Sequence, residues 1–382
     1  MVMLTRRTVI ASKIEGTEGV DANPDPTVDA FAFMNGKITF KPNIVSTNEE
    51  TASLDDLGSL VGGMTAELSF DVNLKGSSAA GTVPEYGKLF KAAGWAETIT
   101  AAAVPAAPEA CAAGGTTTTA VLGATAVGTA QLYRGMPILL SGVVAGTSFI
   151  SDYTAGKTAT LTDTMSAAII ATTSYQIPAN VLYAPASSNI PSMTHHVYMD
   201  GVRYKFIGSR GKVSFSVDSG GVGKATFTFY AMFESKDDIA LPVATYDATR
   251  PPLWKNGAML INRLAAALKN FSLNDGATLV HPDNPNSSEG YSPAVITARK
   301  FSGQVSPLET LVATRDIMTD FRSMSRRSLH LRYGAVAGNR VGLTIPLAMY
   351  TNQNPNDQSG LRSVDVPFEA QGQDSGAFLC LW

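Results

Sequence analysis

Charge is scarce in this chain of 382 residues: only 16% are Asp, Glu, Lys or Arg, where soluble domains average about 25%. Such a surface protects a free monomer poorly from association, so much of it is expected to lie against partners. The net charge of -3 and pI near 5.9 exclude a nucleic-acid binder that works by neutralising phosphates. Cysteine is nearly absent. Cys111 and Cys380 are too few for a disulfide framework, lack metal-ligand spacing, and read as free thiols in a reducing compartment. Long apolar runs are missing, since none reaches the roughly 18 residues of a membrane span. In "MVMLTRRTVIASKIEG" Lys13 and Glu15 interrupt the run that a signal peptide needs. The expectation is a protein made and assembled in the cytoplasm, with no membrane partner. Apolar side chains are abundant, at 45%, enough for real cores in two or three domains.

Signatures of chemistry are missing as well. "SGGVGKAT", residues 219–226, has the look of a phosphate-cradling loop, but such a loop leads from a strand into a helix. Here Phe227, Phe229, Ala231 and Phe233 alternate with Thr226, Thr228, Tyr230 and Met232, a period of two. Asp218 stands where a glycine is needed, and Ala225 follows Lys224 where Ser or Thr is needed. The segment reads as a hairpin turn. His195 and His196 are neighbours on a predicted strand, so their side chains diverge and do not readily share a metal. His281 and Asp283 fall in "HPDNPN", whose prolines and asparagines mark an exposed loop. No G-x-S-x-G is present. Arg322, Arg326, Arg327 and Arg332 gather in "DFRSMSRRSLHLR" with Asp316 and Asp320 close by, which favours inter-subunit ion pairing over DNA contact. No enzyme, cofactor or metal site is expected.

Composition divides the chain. From Thr98 to Ile190 the charged residues are Glu109, Arg134, Asp152, Lys157 and Asp163, and short β-branched runs separated by Gly and Asp predict a small inserted β domain over 98–190. Before it, "MTAELSFDVNLK" places Met64, Ala66, Leu68, Phe70, Val72 and Leu74 on one face and Thr65, Glu67, Ser69, Asp71, Asn73 and Lys75 on a wet one. "TVPEYGKLFKAAGW" follows, with Thr82 and Glu85 in capping-box spacing, Pro84 near the first helical position and Gly94 as a stop. "SPLETLVATRDIMTDFRSM" repeats the signature with Ser306, Pro307 and Glu309, and Ala313, Ile317, Phe321 and Met324 form a helical stripe. Aligning Gly221 with Gly338 lays Ala231, Met232 and Phe233 over Ala348, Met349 and Tyr350 without a gap. The fold class is therefore mainly β. Two tandem β-sandwich domains with one short helix each are expected, residues 1–97 together with 191–240 and residues 241–382, plus the insert. Two hydrophilic loops, 41–59 and 281–292, occupy matching places and are expected to be used for contact.

"IASKIEGTEGVDANPDPTVDAF", "GGMTAELSFDVNLKG", "PEYGKLFKAAGW", the "GKVSFSV…GKATFTF" hairpin and the closing "SLHLRYGAVAGNRVGLTIPLAMY" with "LRSVDVPFEAQG" together resemble the major tail tube proteins of long-tailed bacteriophages. The resemblance covers most of 8–97 and 192–382, and the insert resembles the small β decorations that virion proteins display. It implies β-sandwich domains whose sheets join around a ring into a continuous barrel, with stacked rings forming a conduit for DNA and tape-measure protein. Ring closure removes the sheet edges that otherwise template aggregation. For a duplicated chain it implies a homotrimeric ring, assembled in the host cytoplasm, with tail terminator and tail-tip proteins as further partners. Glu67 and Asp71 on the wet face then become candidate lumen-lining residues. In the two loops, Asn48, Glu49, Glu50, Asp55, Asp56, Asp283, Asn284 and Glu289 become candidate ring-to-ring contacts, and Arg322, Arg326 and Arg327 inter-subunit ones. The alternatives are a tail-tip or baseplate ring, the inner tube of a contractile secretion apparatus, or an adhesive or carbohydrate-binding β protein. Tyr133, Tyr153 and Tyr175 are few and scattered for the last of these.

Overall fold

The computed structural model describes residues 3–55 and 57–382. Its first elements are β1 (Thr8–Ile14), α1 (Pro26–Asp29), β2 (Met34–Val45), β3 (Leu60–Asn73), α2 (Gly87–Ala92) and β4 (Trp95–Thr100). Then come β5 (Val104–Ala110), β6 (Thr119–Val121), β7 (Pro137–Gly142), β8 (Gly146–Tyr153), β9 (Thr158–Leu161), β10 (Thr173–Ile177), β11 (Asn180–Pro185), β12 (Met193–Met199), β13 (Val202–Asp218) and β14 (Lys224–Asp238). After a long strap follow β15 (Ala258–Ile261), β16 (Leu264–Ala265), β17 (Leu268–Asn274), β18 (Thr278–Val280), β19 (Val295–Ala298) and β20 (Ser302–Pro307). The last are α3 (Ile317–Arg322), β21 (Arg326–Tyr333), β22 (Val341–Tyr350), β23 (Asn354–Gln358), β24 (Leu361–Ala370) and β25 (Phe378–Leu381). The protein is mainly β, as expected.

Alternation builds the framework. In β3 the side chains of Ala66, Leu68, Phe70 and Val72 are buried and those between them are not. β14 repeats this with Ala225, Phe227, Phe229 and Ala231. The glycine-rich loop is the turn of the β13–β14 hairpin, with Gly220 at φ +76, a conformation that glycine adopts without strain. From β2 the pairing runs β2–β3–β14–β13–β17–β20–β24–β23, antiparallel throughout. The β13–β17 contact, Ser214↔Asn274 to Asp218↔Asn270, joins the N-terminal and C-terminal parts of the chain. Branches lead from β13 to β12 and β1, and from β24 through β22 and β21 to β15. β25 lies between β22 and β11, and β11 pairs with β4. One apolar cluster runs from Phe70 and Phe90 through Trp95 and Phe215 to Phe271 and Phe368, so the two parts share a core.

The N-terminal segment is pinned by a carboxylate. Glu15 is buried and accepts from the backbone N–H groups of Gly19 and Gly208 (both 2.7 Å) and the hydroxyls of Ser192 (2.5 Å) and Thr194 (2.9 Å). Those four donors satisfy a charge that burial would otherwise make costly.

Neither expected capping box forms, because each carboxylate finds a tertiary partner. Glu85 accepts from the N–H of Asp247 (2.7 Å) and lies 3.2 Å from the Lys75 ammonium. α2 therefore starts at Gly87 without a side-chain cap, and Gly94, at φ +80, follows its end. Ser306 belongs to β20 and donates to Asp365 (2.6 Å), while Glu309 pairs with Arg362 (2.7 Å). α3 is shorter than the stripe implied and is capped by Asp316, which accepts from the N–H of Thr319 at 2.9 Å. Ile317 is buried and Phe321 packs on the core, but Ala313 and Met324 are exposed. Lys75, expected on the wet face, is buried between Glu85 and the Asp247 carbonyl (2.7 Å).

Val104 to Ile177 form a separate six-stranded sheet, ordered β5–β10–β7–β8–β9–β6, with its own core around Phe149, Tyr153 and Tyr175. The flanking β11 and the end of β4, inside the expected 98–190 span, belong to the large sheet.

The hairpins that align at Gly221 and Gly338 share their register. Ser216↔Lys224 and Val213↔Phe227 in one correspond to Tyr333↔Val341 and His330↔Thr344 in the other. They face oppositely. Val213, Phe215 and Phe227 lie in the main core, whereas the aligned His330, Arg332 and Thr344 do not; Leu329, Leu331, Leu343 and Ile345 occupy it instead. A one-residue shift exchanges the faces of a strand, so the ungapped match aligns the turns and not the faces.

Candidate assembly surfaces

One face of the large sheet is polar across neighbouring strands. The registers set Lys37, Thr39 and Lys41 of β2 beside Ser69, Glu67 and Thr65 of β3. They then set Asp71, Ser69 and Glu67 beside Thr226, Thr228 and Tyr230 of β14. Lys212, Ser214 and Ser216 of β13 come next, followed by Ser272 and Asn274 of β17, Gln304 and Ser302 of β20, and Glu369 of β24. Lys37, Lys41, Lys212 and Lys224 on this face are matched by Glu67, Asp71, Asp218 and Glu369. Glu67 accepts from the Lys41 ammonium (2.5 Å), and Asp71 accepts from the Asn35 amide and the Thr226 hydroxyl (both 2.7 Å). Lys41 and Glu67 thus form a direct ion pair, and Glu369 pairs with Lys300 (2.7 Å). Tyr230, which sequence reasoning did not single out, carries the ammonium groups of Lys41 (4.9 Å) and Lys212 (5.8 Å) over its ring, a cation–π arrangement. Its signal was the one aromatic side chain among the threonines of the wet face.

The loop 41–59 is mostly the tip and flanks of the β2–β3 hairpin. Asn48, Glu49, Glu50 and Asp55 are all exposed there; Asp56 lies outside the described residues. The flanks carry exposed Ile44, Val45, Leu60 and Val61, and the tip Leu54 and Leu57. The segment read as hydrophilic is therefore an arm with bare apolar side chains. The second loop, 281–292, reaches the base of this arm. Glu289 accepts from the N–H of Met64 at 2.8 Å, and its carbonyl approaches Gly63 so closely that a Cβ there would collide. Asp283 bridges to Tyr291, and the Asn284 side chain accepts from the N–H of Asn286 (3.1 Å), so both close their own loop. Glu289 is thus used within the chain, whereas Asn48, Glu49, Glu50 and Asp55 of the arm face solvent.

Arg327 pairs with Asp320 within the chain, Arg326 donates to Gln371 (2.8 Å), and Arg322 is exposed at the end of α3. Arg332 is held away from them by Asp163 of the small sheet (2.8 and 2.9 Å). His195 and His196 diverge as expected: His195 meets the Ser12 hydroxyl (2.7 Å), His196 the Asp21 carboxylate (2.9 Å). Burial holds the His195 imidazole down at about 3, so it is neutral near pH 7. Tyr133, Tyr153 and Tyr175 are buried in the core of the small sheet and offer no exposed platform for a sugar.

Among the described residues no helix is long and apolar enough to cross a membrane. A family model described as phage tail tube protein matches residues 5–370. The chain belongs to that family. A search of curated proteins finds no match. As a phage tail tube protein the chain has a structural role in the virion, where it assembles with itself and with other tail components.

Proposed function

We propose that three copies of the chain close into a ring, that rings stack into the hollow tail tube, and that the polar face lines the conduit for DNA and tape-measure protein. The observation that carries this reading is the run from β2 to β23: eight antiparallel strands in which, among the described residues, β2 is paired on one side only and β23 only to β24. An even number of alternating strands lets β23 of one copy meet β2 of the next in antiparallel fashion, and closure removes both edges. The β13–β17 junction already joins two sheet segments within one chain in this way. Three copies give about 24 strands, which at ~4.8 Å spacing and ~40° tilt form a cylinder roughly 48 Å across, wide enough for a water-filled channel. Balanced charges leave the polar face without a net positive charge to hold phosphates, so DNA slides. The β2–β3 arm, with its apolar flanks and exposed Asn48, Glu49, Glu50 and Asp55, is the ring-to-ring contact. Arg322, at the exposed end of α3, faces the neighbouring copy. Assembly takes place in the host cytoplasm, and tail terminator and tail-tip proteins cap the tube.

Electron microscopy of the purified protein over a concentration series tests this. Hollow rings with threefold projections that stack into tubes are expected, and removal of residues 46–58 is expected to leave rings that no longer stack. Compact monomers at every concentration would overturn the proposal.

A further inference from the structure

The small sheet is seated on the C-terminal part of the chain through an interface shaped from both sides. From the small sheet, the Phe149 ring packs on His330 (4.3 Å) and Trp382 (4.9 Å). Asp163 holds Arg332 in two hydrogen bonds, and the Leu161 carbonyl accepts from the Arg263 guanidinium (3.1 Å). In return Phe378 enters the small sheet's core, under the Arg134 guanidinium (5.4 Å). Glycine stands on each side where a ring arrives. A Cβ at Gly342, the second residue of β22, would overlap the Phe149 ring, and one at Gly135 would overlap Phe378. Glycine inside a strand weakens it and is explained where another group must approach closely.

β25 is where the two cores meet. Its Leu379 and Leu381 enter the main core, while Phe378 and Cys380, with Trp382 beyond the strand, enter the core of the small sheet. β25 has four residues, and so short a strand frays unless both its faces are covered. We infer that the inserted sheet is a clamp: by seating on β21 and β22 it holds the C-terminal strand in place, and so it is an integral part of the subunit and not a pendant decoration. The interface mixes aromatic anchors with one ion pair, as interfaces between separable units do, so the seam can open while the strands of the inserted sheet stay paired.

The two native cysteines report on this directly. Cys380 lies under the clamp and Cys111 inside the inserted sheet, both buried and free. Arg332→Glu sets a carboxylate against Asp163. In this variant Cys380 is expected to react with a small thiol reagent at least tenfold faster than in the native chain while Cys111 stays protected, and the charge-swapped Asp163→Arg/Arg332→Asp pair is expected to restore protection. Gly342→Val, which drives a side chain against the Phe149 ring from the β22 side, is the second route to opening, read in the same assay. Cys380 that stays protected in both variants overturns the clamp, as does Cys111 reacting in step with Cys380, because the core of the inserted sheet would then melt as a whole and not open at its seam. These readouts need only the folded chain, so they stand even if rings fail to form and the tube reading falls.

Discussion

The hairpins β13–β14 and β21–β22 share a register and differ in what covers them. The first buries Val213, Phe215 and Phe227 under α2, where Phe90 lies 6.0 Å from Phe215 and 5.1 Å from Phe227, and leaves Thr226, Thr228 and Tyr230 on the polar face. The second is covered on both faces, by the main core through Leu329, Leu331 and Leu343 and by the inserted sheet over His330, Gly342 and Thr344. A strand with one wet face alternates cleanly, whereas one covered on both sides need not. The polar residues of the second hairpin are therefore interface groups that must find partners: Thr344 for His330 (2.9 Å) and Asp163 for Arg332.

The comparison is sharpest where coverage is greatest. Phe90→Ala should cost about 3–5 kcal/mol in urea unfolding, whereas Thr228→Ala on the wet face of the same hairpin should stay within ~0.5 kcal/mol. Equal effects would mean that the polar face is not solvated. The aligned pair Ala225 and Gly342 comes next: Gly342→Ala must push against Phe149 and should cost about 1–3 kcal/mol, although position 225 accepts the same side chain.

Acid separates the hairpins too. Burial holds His330 at about 3, like His195, against an ordinary 6.5, so below pH 6.5 the unfolded chain binds more protons than the folded one. Stability should fall from pH ~6.5 toward ~3, by up to ~1.4 kcal/mol per pH unit for each histidine. Asp275 works the other way. Its carboxyl, raised to about 6 by burial, is protonated more readily in the folded chain, so between pH ~6 and ~4 it adds stability as pH falls. His330→Asn should flatten the acid slope measured by unfolding midpoints from pH 3 to 7. Val213, the aligned residue of the first hairpin, contributes no slope.

The smallest effect on folding, with the largest expected on transport, is on the wet face. Glu67→Lys with Asp71→Lys breaks the pairings with Lys41 and Asn35 and leaves the face cationic. Stability should change by no more than about 1 kcal/mol per ion pair, while DNA ejection from virions carrying the variant should slow and become more sensitive to salt. Native ejection kinetics would remove the polar face from the conduit.

Much of the framework was legible because its signals are local. The period of two in β3 and β14, the glycine turn at 219–223 and the stop at Gly94 each rest on a few consecutive residues. The apolar side chains at 44–45 and 60–61 were equally visible, but nothing local says whether such residues find cover. Glu85, Ser306 and Glu309 had the right spacing for helix caps and went instead to Asp247, Asp365 and Arg362, partners 162, 59 and 53 residues away in the chain. The sequence by itself determined a mainly β protein with one polar sheet face, little charge and a separate small sheet, because alternation and composition act over neighbouring residues. Tertiary structure alone decided that Lys75 is buried, that Glu289 belongs to the chain's own arm, and which face of β21–β22 meets the core. Those outcomes depend on groups brought together from distant positions, whose competition for the same hydrogen bonds and the same apolar cover no local pattern records.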